Sequence, residues 1–148
     1  MKKITTALLL VMMCLLQLNA AENKVIRIAT DQTDLVFKVG DNGRLYQSYL
    51  GKVLKSEADL KFLPLGTEAY LTHGMEDYFE PAVRVLHNDG NPSLLLKYVS
   101  HSTSNPQPGI TETAIVLKDE VYPVQVTLYY TAFAKENIIK ERTEIRHN

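Results

Sequence analysis

The stretch Glu80-Pro81-Ala82-Val83-Arg84-Val85-Leu86-His87-Asn88-Asp89-Gly90-Asn91-Pro92-Ser93-Leu94-Leu95-Leu96-Lys97-Tyr98-Val99-Ser100-His101 decides how the rest of the chain is read. Side chains alternate faces along an extended chain, so Val83, Val85 and His87 fall on one side and Arg84 and Leu86 on the other. Asp89-Gly90 supplies a residue that tolerates positive φ followed by one without a Cβ, and Pro92 cannot donate to a ladder. The pattern predicts a strand ending at His87, a reversal over 88–92, and a second strand over 94–99 that faces the first. Leu94, Leu95 and Leu96 are apolar on both faces, which predicts a strand covered from both sides. The remainder is expected to pack around this hairpin.

Working outward, Val25–Thr30 and Asp34–Val39 are short β-branched runs separated by Asp31-Gln32-Thr33, the composition of two strands and a turn. Asp41-Asn42-Gly43 reads as another reversal and leads into Arg44–Leu54, where Leu45, Gln47 and Tyr49 share one face and Tyr46, Ser48 and Leu50 the other. Gly51 inside that run marks a bulge or a close backbone approach. From Ser56 to Glu80 no period persists, and Pro64 and Gly66 interrupt a mixture of helix formers and aromatics. One long irregular loop is expected there, of the kind that is functional or covered by a partner in a compact domain. Ser102–Gly109 is a polar connection by composition, Ile110–Leu117 resumes alternation, and Val124–Phe133 is the cleanest strand, with Val124, Val126, Leu128, Tyr130 and Ala132 on one face. The spacing of Ile138, Ile139, Arg142 and Ile145 would permit a helix, but a segment that follows a long strand after a short polar link in a β chain is read as a returning strand over 137–147. The fold class is therefore all-β, an antiparallel β-sandwich with Val85, Leu94, Leu96, Val126 and Leu128 in its core.

The chain has 148 residues, a net charge of −1 and no tryptophan, enough for one domain with a core of its own. Near-neutral charge without a Lys/Arg cluster argues against nucleic acid or an anionic membrane surface as partner. Lys2 and Lys3, the apolar run Ala7–Leu18 and the small residues Ala20 and Ala21 have the layout of a signal peptide over 1–20, leaving a β-sandwich domain over 21–148 that is periplasmic or secreted. Cys14 behind the apolar run raises a lipoprotein alternative, which the bulky Met13 disfavours. Since Cys14 is the only cysteine, the mature domain would hold neither a disulfide nor a thiolate metal ligand.

A search for chemistry finds little of its own. His73, His87, His101 and His147 are too scattered for local zinc ligation, so no metal or other cofactor is expected, and His87 reads as a hydrogen-bonding cap of the hairpin. Glu76, Asp77 and Glu80 bring carboxylates together, but adjacent loop acids do not provide the fixed flanking geometry that glycoside hydrolysis needs. No phosphate loop, nucleophile elbow or serine triad pattern is present, and no catalytic residue is assigned.

Three groups of residues, taken in order, resemble the N-terminal domain of glycoside hydrolase family 36 α-galactosidases. They are Gly43 to Lys52 (GRLYQSYLGK), Glu80-Pro81-Ala82 through His87-Asn88-Asp89-Gly90 to Leu96-Lys97-Tyr98, and the series Ile115–Asp119, Tyr122-Pro123, Val126–Tyr130 and Asn137–Asn148. The resemblance runs from about Val25 to the end. It implies a β-supersandwich ahead of a catalytic (β/α)8 barrel that removes terminal α-galactosyl units with retention, using two barrel aspartates. A barrel needs roughly 250 residues of its own, so neither aspartate can be assigned here. The resemblance also implies homo-oligomers in which an N-terminal-domain loop reaches a neighbouring sugar site. Met75–Phe79 is the best-placed segment, with Asp77 and Tyr78 as expected substrate-binding residues: a carboxylate accepts hydrogen bonds from sugar hydroxyls and an aromatic ring covers the apolar face. A stand-alone secreted β-sandwich that binds glycans or a protein is the alternative.

Overall fold

The computed structural model describes residues 24–74 and 79–147. Its strands are β1 (Val25–Ala29), β2 (Thr33–Val39), β3 (Leu45–Lys52), β4 (Thr67–Glu68), β5 (Leu96–Gln107), β6 (Ile110–Asp119), β7 (Val124–Phe133) and β8 (Ile138–His147), with one helix, α1 (Glu57–Phe62), between β3 and β4. They form two antiparallel four-stranded sheets in the orders β1-β2-β3-β4 and β5-β6-β7-β8. Each sheet is a meander, which is why the short turns read from the sequence mark most of the reversals. The expected signal peptide lies outside the described residues, as do Asp77 and Tyr78.

The core lies between the sheets. Ile26 and Ile28 of β1, Leu35 and Phe37 of β2 and Leu45 of β3 meet Leu96, Ile115, Leu117, Val126, Leu128 and Tyr130 of the second sheet. The Phe37 and Tyr130 rings pack at 5.0 Å between centroids. Burial drives Tyr130 well above the usual tyrosine range, and Glu141, which accepts its hydroxyl, adds to the effect. The opposite face of the first sheet is also covered: Asp34 and Val36 are fully buried there. Asp34 accepts from Arg27 Nε at 3.0 Å, from Arg27 Nη2 at 2.8 Å and from the Leu54 backbone N–H at 2.7 Å, while Lys38 Nζ donates to the Leu63 carbonyl at 2.6 Å. A buried charge is tolerated when its hydrogen-bonding positions are filled, and here they tie α1 and its flanks to the sheet.

Several expectations need correction. Residues 83–87 are extended with the expected alternation, but they do not ladder with 94–99. Val83 makes only an isolated parallel bridge to Thr72, and Val85 is partly buried against the core rather than inside it. The reversal itself is real: His87 N–H donates to Asn91 O at 3.0 Å and Gly90 N–H to His87 O at 2.8 Å, with Gly90 at φ 82°. That is a three-residue loop whose last position needs positive φ. The strand partner of β5 is β6, and β5 is a sheet edge with Val99 exposed, not a strand covered on both sides. Ser102–Gln107, a connection by composition, belongs to β5, because β6 satisfies its backbone and the turn falls at Pro108-Gly109 instead. In β3 the irregularity is at Ser48: Val36 pairs with Tyr49 and Phe37 with Gln47, so Tyr49 moves to the face opposite Leu45. Gly51 is neither the bulge nor a close backbone approach: what a Cβ there would meet is a side chain, Tyr49 Oη at 2.6 Å. The period does not reveal the helix α1, although Ser56 and Asp59 form a capping box at its start.

Leu128 is fully buried and Val121 is 80% exposed. Leu128→Ala should cost about 2–5 kcal/mol, the usual penalty of a core cavity, whereas Val121→Ala should stay within about 0.5 kcal/mol. Urea unfolding of both variants checks the assignment of the core.

Candidate functional site

Between β4 and β5 the described residues Tyr70, Val83, Val85 and Leu94 pack against the core, and the stem of this excursion from the sheets is fixed by backbone pairing. Ala82 N–H donates to Leu71 O at 2.9 Å, His73 N–H to Val83 O at 3.3 Å and Leu94 N–H to His73 O at 3.3 Å. The Thr72 hydroxyl, buried, donates to the Leu94 carbonyl. Thr72-His73 is thus held between Val83 on one side and Leu94 on the other. Gly74 follows at φ 83°, where a Cβ would stand 2.5 Å from Ser93 Oγ and 2.8 Å from its Cα, so the segment between 74 and 82 departs from a tightly packed glycine. Asp77 and Tyr78 belong to that segment.

Two grooves are lined in part by the connection between β4 and β5. The first, of about 590 Å³, is lined by Arg44, Tyr46, Gly66, Thr67, Glu68, Leu71 and Phe79. Its floor is an ion pair of β3 and β4 flanks: Arg44 Nε donates to Glu68 Oε1 at 2.9 Å and Nη2 to Oε2. Such a two-point contact fixes both side chains and leaves a polar floor beneath aromatic walls. Phe79 stands 74% exposed at its mouth, next to Asp77 and Tyr78 in sequence.

The second groove, of about 480 Å³, is lined by residues that include Val85, Leu86, His87, Asp89, Tyr122 and His147. The His87 and Tyr122 rings stack at 3.4 Å and 5°. His87 Nε2 lies 3.1 Å from Ser93 O, which assigns the proton to Nε2. Tyr122 Oη donates to Asp89 Oδ2 at 2.8 Å and accepts from Asn91 Nδ2 at 2.9 Å. The Asn91 backbone N–H and then the Tyr122 hydroxyl hold the Asp89 carboxyl below its usual range, and Asp89 in turn raises Tyr122. His87 therefore does cap the turn by hydrogen bonding, through Nε2 to Ser93 O, while its ring stack on Tyr122 is remote in sequence and leaves no local signal. Among the described residues, no group of three His, Cys, Asp or Glu side chains is placed to hold a metal ion. The carboxylates of the two grooves, Glu68 and Asp89, are each already engaged by protein donors, Arg44 and Tyr122.

A model of the glycosyl hydrolase family 36 N-terminal domain matches residues 37–148. The chain belongs to that family. Among solved structures, this N-terminal domain is similar in fold to the GH36 alpha-galactosidase AgaA from Geobacillus stearothermophilus, with a TM-score of 0.72 and 21% identity over 84% of the chain. It is likewise similar to the galactosidase domain of the alpha-galactosidase-sucrose kinase AgaSK, with a TM-score of 0.75, 20% identity and 87% coverage. The alpha-galactosidase from Lactobacillus brevis gives a TM-score of 0.69, 19% identity and 83% coverage. The domain spans 22%, 23% and 21% of those three chains, respectively. No curated protein matches.

Gly74 and Gly90 have nearly the same φ, 83° and 82°, but only Gly74 is crowded, since nothing lies within 4 Å of a Cβ at Gly90. Gly90→Ala should cost about 1 kcal/mol from the left-handed backbone alone, and Gly74→Ala about 2–3 kcal/mol more because Ser93 must move. Denaturant midpoints of the two variants measure the difference.

Proposed function

We propose that this chain is the non-catalytic N-terminal β-sandwich domain of a secreted α-galactosidase-like glycoside hydrolase, and that it presents the 74–82 segment at the rim of the sugar site. The observation that carries the reading is the stem: Thr72-His73 is clamped between Val83 and Leu94, so the sandwich acts as a rigid base for the excursion between them. Binding groups are most effective when a rigid scaffold supports them. The rest of the enzyme would be a (β/α)8 barrel that supplies both catalytic aspartates, and the substrate an α-galactoside glycan. Asp77 would accept hydrogen bonds from sugar hydroxyls while Tyr78 covers an apolar sugar face, in the same subunit or in a neighbour within a homo-oligomer. Export with removal of residues 1–20 completes the proposal.

In this reading the chain by itself does not turn over an aryl α-galactoside, because protonation of the leaving group and the covalent intermediate both belong to the barrel. Release of the aryl group above a blank by clean protein would contradict it. In the full-length enzyme, Asp77→Ala should raise KM about 3- to 10-fold, the loss of one hydrogen bond to a neutral partner, with an unchanged unfolding midpoint. Unchanged kinetics would confine the segment to a packing role.

A further inference from the structure

The β2–β3 turn carries the only Asn-Gly pair in the chain, Asn42-Gly43. An asparagine in that position is chemically labile, because no Cβ on the glycine shields the backbone nitrogen that can attack the side-chain amide. Among the described residues the other asparagines are protected: Asn91 and Asn105 precede proline, which has no N–H, and Asn88 and Asn137 precede Asp89 and Ile138, whose side chains shield the nitrogen. Asn42 is exposed, and the fold holds its amide at both ends. Oδ1 accepts from the Arg44 backbone N–H at 3.0 Å, and Nδ2 donates to Tyr46 Oη at 2.8 Å. The attacking nitrogen is held as well, since Gly43 N–H donates to Gly40 O at 2.8 Å. Gly43 O in turn accepts from the Tyr98 N–H at 2.8 Å, which ties the turn to β5 of the second sheet.

We propose that Asn42 is a deamidation site gated by the fold: the closed turn keeps it intact, and opening of the turn converts it to an isoaspartate that stops the turn from closing again. The Gly43 backbone nitrogen loses its proton to water and bonds to Asn42 Cγ. The Cγ–Nδ2 bond breaks, and the amide nitrogen takes a proton from water and leaves as ammonia. A water molecule then opens the succinimide at either carbonyl, giving aspartate or isoaspartate with no change of oxidation state. In the closed turn the Gly43 proton is engaged by Gly40 O, and Cγ cannot swing toward the nitrogen while Arg44 and Tyr46 hold both ends of the amide, so the reaction runs from a locally opened state. Isoaspartate routes the main chain through Cβ and Cγ and inserts an extra backbone atom before Gly43, which then cannot meet Gly40 and Tyr98 together. Either product replaces the amide that donates to Tyr46 Oη with a carboxylate beside Asp41, which has no proton to donate. Arg44 and Tyr46, the two partners of the Asn42 side chain, both line the larger groove, so the change reaches its wall.

Peptide mapping by mass spectrometry of the full chain, aged in mildly alkaline buffer with and without urea, tests this directly. Isoaspartate at position 42 should form at least about tenfold faster in the unfolded chain, the factor that the hydrogen bonds of the turn represent. Tyr46→Phe removes only the hydroxyl and should raise the folded-state rate about 3- to 10-fold while leaving the rate in urea unchanged. That rise should exceed any increase in the unfolded fraction of the variant, measured by denaturant titration, which separates local opening from a general loss of stability. A reading that needs no variant comes from the aged protein itself. Chains bearing isoaspartate, separated by charge, should exchange the Gly43 and Tyr98 amide hydrogens faster than unmodified chains, with the β6–β7 amides unaltered. Equal rates in the folded and unfolded chain, a folded-state rate indifferent to Tyr46→Phe, or unchanged exchange at Gly43 and Tyr98 after modification would each overturn the proposal. Because Asp77 and Tyr78 are not involved, this can fail while the reading of the 74–82 segment stands, and the reverse.

Discussion

The contact on which the architecture depends is the apolar layer where Phe37 of one sheet meets Tyr130 of the other. Each sheet is a four-stranded meander, and its backbone hydrogen bonds contribute little net stability because the unfolded chain bonds to water equally well. What makes the pair stable is removal of the facing aliphatic and aromatic side chains from water, at roughly 25 cal/mol for each Å² of apolar surface. The ends of the sandwich are then sealed by polar ties between the sheets: Asp31 N–H donates to Ala134 O at 3.0 Å, Tyr98 N–H to Gly43 O at 2.8 Å, and Thr30 Oγ1 to Asn137 Oδ1 at 2.6 Å. Asn137 sits at φ 55°, a left-handed position that asparagine tolerates, and this lets the β7–β8 turn reach the β1–β2 turn.

How much of this is legible in the sequence follows from where the period is undisturbed. β7 alternates apolar and more polar residues without a break from Val124 to Phe133, so its faces can be read residue by residue. β8 is ambiguous by spacing, because Ile138, Ile139 and Ile145 suit a helix as well, and context rather than period identifies it. Ser102–Gln107 misleads for a physical reason. Serine, asparagine and proline disfavour strands in isolation, yet pairing with β6 satisfies their backbone, and tertiary pairing overrides a propensity worth at most about 1 kcal/mol. The 83–87 segment misleads in the opposite direction. Its alternation is genuine, with Val83, Val85 and His87 turned toward the core, but alternation reports burial on one side and says nothing about a hydrogen-bonded neighbour.

The same distinction explains the candidate site. A Pro-flanked Asp-Gly turn is visible in sequence, whereas the ring stack of His87 on Tyr122 and the clasp of Thr72 on Leu94 join residues that only the fold brings together. Arg44 and Glu68 are a further case, 24 positions apart and joined because β4 pairs with β3. Sequence locates the irregular stretch between β3 and the Asp-Gly turn; the geometry adds that Thr72-His73 within it is fixed on both sides, by Val83 and by Leu94.

The covered outer face of the first sheet bears on how the domain meets anything else. Asp34, Val36 and Lys38 are buried on that face, with Lys38 Nζ held by the Leu63 carbonyl behind α1, and the groove lined by Tyr46, Thr67 and Glu68 opens at the β3–β4 end of the same sheet. The outer face of the second sheet is different: Tyr129 carries Arg142 on its ring and donates to Glu144, and Glu144 is paired with Arg146, a charged surface that stays in water without penalty. Exposed apolar side chains include Ile138 and Ile145 in β8, Phe79 and Leu86 between β4 and β5, Phe62 at the end of α1 and Val121 between β6 and β7. These lie in parts of the chain well separated in sequence.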